Sequence, residues 1–203
     1  MKILEFEKRT LCLSEGFREY LIIISPHTNI KNDVLNFKKE FVSHFGRAKY
    51  VYSIAHISLS NFLIESTPEL TIWNELRHAF RDKKRFEVQT LGFQKFPSSN
   101  TLFIEIVSDE IIKLQHQMVA VLRKRAKIGN QGTQKIETPH ITIASKIPTY
   151  QFDRSWNYFG QKPYSKTFMV DKITVLRKNH SMGESAYKLA FEIDLVNGSS
   201  TFA

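Results

Sequence analysis

Apolar positions along the chain switch between a two-residue and a roughly 3.6-residue spacing, and the switches mark out its elements. Tyr20 to Ser25 (YLIIIS) is a short β-branched run, the pattern of a buried strand. From Asn32 to Phe45, the residues Val34, Phe37, Phe41, Val42 and Phe45 recur at helical spacing, and Gly46 stops the helix. Ala55 to Leu59 alternates and reads as a second strand. Thr67-Pro68-Glu69 is a helix start, with a hydroxyl cap, a proline at the first position and then an acid. Leu70, Trp73, Leu76 and Phe80 are its expected buried stripe. Arg85 to Leu91 alternates charged and apolar residues, as a half-buried strand does.

The layout then repeats. Thr101 to Val107 (TLFIEIV) predicts a strand, and Ser108-Asp109-Glu110 opens a helix with two acids at the positive end of its dipole. Ile111, Leu114, Met118 and Val121 line one face of that helix. Lys127 to Pro139 (KIGNQGTQKIETP) reads as a long loop. Thr138 to Ser145 predicts the next strand, followed by a weak short helix near Gln151 to Phe159. Phe168 to Leu176 and Tyr187 to Leu195 complete the set as strands, the latter with Tyr187, Leu189, Phe191, Ile193 and Leu195 on one face. Both halves read strand, helix, strand, helix, strand. That layout predicts an α+β protein of two similar lobes, each a mainly antiparallel sheet with helices on its outer face. The expected organisation is one two-lobed domain over residues 1–203, repeating as roughly 17–95 and 100–195 and not contiguous in detail.

Composition narrows the class. With 203 residues, 42% hydrophobic and 24% charged, the chain has the make-up of a globular domain, and no disordered or low-complexity reading fits. The single cysteine, Cys12, excludes an internal disulfide and points to a reducing, cytoplasmic setting. Glu5 and Glu7 interrupt any signal-peptide core, and the run Leu21–Ile24 is far too short for a membrane helix. Lysine and arginine number 29 against 20 acids, a net charge of +9 that suits an anionic partner such as nucleic acid or a phosphorylated small molecule.

Two of the seven histidines share a local pattern: His56-Ile57-Ser58-Leu59 in the first half and His140-Ile141-Thr142-Ile143 in the second. No other histidine is followed by an apolar residue, a hydroxyl residue and an apolar residue. Side chains two apart on a strand share a face, about 6.6 Å apart. His56 would therefore share a face with Ser58, and His140 with Thr142, while the aliphatic residues anchor each strand in its lobe. Two such strands facing a common cleft would present two imidazoles and two hydroxyls. One neutral imidazole can take a proton from an attacking water and one protonated imidazole can give one to a leaving oxygen. The hydroxyls can donate to the non-bridging oxygens of a phosphate. This chemistry requires no metal or cofactor, and no metal-ligand spacing or glycine-rich phosphate loop is present in the sequence.

The paired motif resembles the signature of the two-histidine phosphoesterase superfamily, which includes LigT-like RNA 2′,5′ ligases, cyclic nucleotide phosphodiesterases and RNA end-processing enzymes. Pro139 before His140 also fits the second motif, and the one departure is serine at 58, where threonine is commoner. The resemblance covers roughly Tyr20 to Leu195. It implies two pseudo-symmetric α+β lobes around a central cleft, His56 and His140 as an acid–base pair, and Ser58 and Thr142 as phosphate binders. The implied activity is metal-independent hydrolysis or formation of a cyclic or 2′,5′ phosphodiester, with a 2′,3′-cyclic phosphate of RNA or a nucleotide as the leading substrate. A non-catalytic RNA- or phosphoryl-binding module on the same fold is the alternative. A protein whose histidines are incidental is a third reading.

Simple alternation would also carry Phe62 and Lys146 onto the motif faces, Phe62 to stack on a base and Lys146 to meet a phosphate. The 127–138 loop enters the second motif directly and is either a cover for the cleft or a plain mobile connection. Lys83-Lys84-Arg85 and Arg123-Lys124-Arg125 with Lys127 either track a nucleic-acid backbone or simply close helices at their negative dipole ends. His44, His78 and His116 are expected to face solvent on helices, His27 to lie in a loop and His180 in a polar turn.

Overall fold

The computed structural model describes residues 17–65, 69–125, 128, 134–135, 138–179 and 183–196. Its strands are β1 (Phe17–Ile24), β2 (Ile57–Glu65), β3 (Phe86–Phe96), β4 (Thr101–Val107), β5 (Gln134–Lys135), β6 (His140–Ala144), β7 (Thr167–Val170), β8 (Lys172–Asn179) and β9 (Lys188–Asp194). Its helices are α1 (Thr28–Phe45), α2 (Glu69–Phe80), α3 (Asp109–Lys124) and α4 (Thr149–Phe159).

The strands form two antiparallel sheets, ordered β5-β2-β1-β8-β9 and β6-β4-β3-β7. Helices α2 and α3 pack on the first sheet, through β9 and β2, and α1 and α4 pack on the second, through β6, β3 and β4. Each sheet therefore has one helix-covered face, and the histidine motifs lie toward the other. The molecule is α+β, with two lobes around a central cleft.

The two lobes exchange parts. The triplet β2-β1-β8 matches β6-β4-β3, so the third strand of each triplet comes from the opposite half of the chain. Helix α1, which follows β1, crosses to pack on β6, and α3, which follows β4, crosses to pack on β2. The stretch expected as one strand from Phe168 to Leu176 is two: β7 pairs with β3, β8 pairs with β1, and Asp171 lies between them. One short run of chain thus serves both sheets.

Hydrophobic spacing explains most of the packing. Ile30, Val34, Phe41 and Phe45 bury one side of α1, with Lys38 among them. Ser108 caps α3 as expected, accepting from the Ile111 N–H at 3.3 Å. The buried side of α2 is Ile72, Leu76 and Phe80. Leu70 is exposed, one position into the helix. Leu189 is exposed as well, because β9 carries an extra residue opposite Val175 and Leu176, which breaks the expected alternation. The start at Thr67 and Pro68, Cys12, Lys127 and His180 lie outside the described residues.

Candidate active site

Antiparallel partners share a face, so strand register maps the cleft. On the first sheet Ser58 pairs with Ile23, and Ile23 with Thr174. Leu21, Leu176, Glu19 and Lys178 follow on the same face by alternation and pairing. On the second sheet His140 pairs with Glu105, Thr142 with Phe103, and Phe103 with Gln94. Phe96 lies on that face too, paired with Thr101. Ile57, Leu59, Ile141 and Ile143 are fully buried on the opposite sides. The aliphatic positions of both motifs therefore anchor, and Ser58, His140 and Thr142 face the cleft.

Strands β2 and β6 approach within 8 Å, Cα to Cα. Each imidazole is held the same way. His56 Nδ1–H donates to the carbonyl of Ile54 at 2.8 Å, and His140 Nδ1–H to the carbonyl of Thr138 at 2.7 Å. A carbonyl only accepts, so it fixes the Nδ1–H tautomer and leaves Nε2 of each ring for chemistry. Both histidines are half-buried, and burial holds both below the usual histidine range, against the opposing pull of the two carbonyls. For His56 the charges of Lys38 and His140 add to the depression. Among the described residues, neither the Ser58 nor the Thr142 hydroxyl has a hydrogen-bond partner, so both are available to a ligand.

The motif strands share a further feature. Leu59 has no partner on β1, which pairs Ser58 with Ile23 and Ser60 with Ile22. Ile143 likewise has no partner on β4, which pairs Thr142 with Phe103 and Ala144 with Leu102. Each motif thus ends in a one-residue bulge directly after its hydroxyl. A bulge reverses the alternation beyond it. That corrects the expectation for Phe62. It pairs with Tyr20 on the core side, is 3% exposed, and stacks on the Tyr20 ring at 5.1 Å. Lys146 does not continue a strand face either. It follows the end of β6 in a left-handed conformation (φ 51°), its side chain exposed.

Several contributors were not singled out from the sequence. Phe96 and Phe103 stack on each other at 4.1 Å, and each ring lies 5.1 Å from that of His140. Gln115, buried on α3, donates to the Ser58 carbonyl at 3.2 Å. Lys38, 2% exposed on α1, donates to the carbonyls of Tyr50 and Ser53 and to the Ser53 hydroxyl at 2.7–2.9 Å. Burial lowers its pKa to about 8. A lysine in register with Ile30, Val34, Phe41 and Phe45 was the available signal.

The remaining candidates lie elsewhere. In the 127–138 loop, Gln134 and Lys135 add a short strand to the edge of β2, and most of the other positions lie outside the described residues. The basic clusters sit at the ends of α2 and α3, on the outer side of the first sheet. Lys83 is paired with Glu110 at 2.8 Å, and Arg125 lies 4.0 Å from Glu75. His44, His78 and His116 are exposed on their helices, and exposed His27 precedes α1.

Two lobes facing across a cleft, each presenting a histidine and a hydroxyl from one motif, are the architecture of the two-histidine phosphoesterases. The model of the 2′-5′ RNA ligase superfamily matches residues 28–181, and the chain belongs to that family. Solved structures with the same fold include Escherichia coli LigT in apo form (12% identity, 90% of this chain and 100% of that one, TM-score 0.66). TT0787 of Thermus thermophilus is similar as well (14% identity, 88% and 98% covered, TM-score 0.63). Usb1 of Kluyveromyces marxianus is a more distant likeness (13% identity, 90% and 100% covered, TM-score 0.52). None of the curated proteins matches the chain in sequence. Among the described residues no helix is long and apolar enough to cross a membrane.

Proposed function

We propose that this protein is a metal-independent phosphoesterase that opens a 2′,3′-cyclic phosphate on RNA or a nucleotide, using His56 and His140 as its acid–base pair. The observation that carries this reading is the matched fixing of the two imidazoles, each tied at Nδ1 and open at Nε2, on facing strands. The neutral ring accepts a proton from water as the water oxygen bonds to phosphorus. The protonated ring gives its proton to the ribose oxygen as the phosphorus–oxygen bond breaks. The Ser58 and Thr142 hydroxyls donate to the non-bridging oxygens, where charge accumulates. Reversal of the same steps forms a phosphodiester, with the two rings exchanging roles. Burial depresses both rings, so neither is locked as a permanent cation at neutral pH and each can serve in either role.

The surroundings support a nucleotide substrate. Half-buried Phe96, backed by buried Phe103, gives one wall an aromatic face, and Leu21 and Leu176 give the other an apolar one. The LigT fold has been solved with 3′-AMP, ATP and phosphate. The net charge of +9 favours polyanions and also motivates the second reading, a module that binds RNA ends without turning them over. The single cysteine fits a reducing, cytoplasmic location.

Incubation with 2′,3′-cyclic nucleotides in EDTA, followed by phosphorus NMR of the products, separates the two. Turnover to a single 2′- or 3′-monophosphate supports the enzyme and gives the polarity of cleavage. Binding of the cyclic nucleotide by folded protein with no turnover supports the binding module instead.

A further inference from the structure

The turn from Lys49 to Ile54, which leads into the first motif, is built more firmly than a connection requires. The Lys38 ammonium, buried beneath it, donates to the Tyr50 carbonyl at 2.9 Å, the Ser53 carbonyl at 2.7 Å and the Ser53 hydroxyl at 2.9 Å. The Tyr50 carbonyl also accepts from the Ser53 N–H at 3.0 Å and the Ser53 hydroxyl at 2.8 Å. These bonds hold Tyr50 at φ 68°, a left-handed conformation that bulky side chains rarely adopt. Strain of this kind persists only where the surroundings over-determine it, and it gathers at functional sites.

What the turn displays is apolar and cationic. Tyr50, Tyr52 and Ile54 are 48%, 72% and 75% exposed. The Lys49 ammonium lies 4.7 Å over the Tyr50 ring, and among the described residues no carboxylate pairs with it. Arg47 is exposed at the approach to the turn.

The turn touches both motifs. Lys49 exchanges two backbone hydrogen bonds with Ser145, at 3.0 and 2.9 Å, three residues past Thr142. At its other end the Ile54 carbonyl fixes His56. On the facing sheet Tyr187 donates to Glu19 at 2.6 Å, with Lys178 lying 5.2 Å over its ring. The Tyr50 phenol adds to the upward shift of the Tyr187 hydroxyl, which is caused first by burial.

We propose that the Lys49–Ile54 turn is the docking platform for a second unpaired nucleotide, the one on the 5′ side of the terminal nucleotide at the histidines. An exposed aromatic face with an ammonium over it that pairs with no carboxylate among the described residues fits a base and its phosphate. Continuity with both histidine motifs places that nucleotide next along the strand. Stacking on an aromatic side chain is tolerant of base identity, so the platform selects single-stranded RNA ends over free cyclic nucleotides rather than one sequence over another. This inference rests on the phosphoesterase reading for the identity of the first nucleotide.

The test compares kcat/KM for a tetraribonucleotide ending in a 2′,3′-cyclic phosphate with that for a 2′,3′-cyclic mononucleotide. Wild type favours the tetranucleotide. Tyr50→Asn, which tolerates the left-handed backbone, lowers that preference about tenfold, within the range that base stacking supplies, and Tyr50→Phe retains it. Lys49→Gln lowers the salt dependence of tetranucleotide binding by roughly one phosphate contact. A preference unchanged in Tyr50→Asn overturns the platform. If wild type turns over neither substrate, the phosphoesterase reading falls separately. Binding of a 3′-phosphorylated tetranucleotide, read by fluorescence anisotropy, then decides the platform. A roughly tenfold loss in Tyr50→Asn, absent in Tyr50→Phe, sustains it, and equal binding overturns it.

Discussion

His56 donates its Nδ1 proton to the carbonyl of Ile54, two residues earlier at 2.8 Å, and so turns Nε2 into the only ring nitrogen free to react. His140 repeats the relation with Thr138. Both rings are half-buried and both are held below the ordinary value of about 6.5, by burial first. The base must be neutral and the acid protonated. Activity therefore rises as pH passes the lower of the two coupled values and falls as it passes the higher. With both depressed, the kcat/KM profile peaks on the acid side of about pH 6.5. A maximum above about pH 8 contradicts the assignment. The same shifts act on stability. The folded state binds fewer protons than the unfolded one, so stability is complete above about pH 6.5 and is lost as pH falls through the folded values.

Lys38 acts on His56 through the 50–53 turn and through its charge. In Lys38→Met the three acceptors lose their donor, and stability falls by about 1–3 kcal/mol in urea denaturation. Because the ammonium opposes protonation of His56, its removal moves the His56 titration upward in NMR, with His140 little changed. A downward movement of His56 would rule out this coupling.

The two hydroxyls are expected to act mainly in the transition state. Ser58→Ala and Thr142→Ala each lower kcat by about 10²-fold, the scale of losing one oxyanion donor, with smaller changes in KM. Thr142→Ser keeps the hydroxyl and most of the activity. Loss confined to KM would make these groups ground-state binders only.

Two phenylalanines separate core from cleft. Phe62, stacked on Tyr20 in the core, costs about 3–5 kcal/mol of stability as Phe62→Ala and leaves KM unchanged. Phe96, half-buried beside His140, raises KM for the cyclic nucleotide about tenfold as Phe96→Ala, as loss of a stacking face does. Stability curves and kinetics on the two variants check both, and a KM effect from Phe62 would contradict the face assignment.

Much of this arrangement was legible in the residues. The period of two in His56-Ile57-Ser58-Leu59 and His140-Ile141-Thr142-Ile143 predicts imidazole and hydroxyl on one face and aliphatic anchors on the other, and the registers place Ser58, His140 and Thr142 accordingly. Alternation fails one residue later. Leu59 and Ile143 are bulged, and a bulge leaves no mark in a hydrophobic pattern, so simple alternation puts Phe62 on the wrong face. Pairing between distant strands is equally silent. Nothing local to Phe168–Leu176 says that the chain changes sheets at Asp171. Phe96 and Phe103 look like ordinary strand residues, and only the register brings them to His140. Lys38 is the opposite case, a charge set in an apolar stripe, visible in the sequence once the stripe is drawn through Val34 and Phe41.

The central claim is that His56 and His140 work as one acid–base unit on a phosphodiester. The direct measurement is kcat/KM on a 2′,3′-cyclic nucleotide, in EDTA, for His56→Ala, His140→Ala and the double variant, each shown to be folded by circular dichroism. The account predicts that each single variant falls at least about 10²-fold and that the double falls little further, because the two rings serve one transition state. Near wild-type activity in either single variant, or losses that multiply in the double, would contradict it.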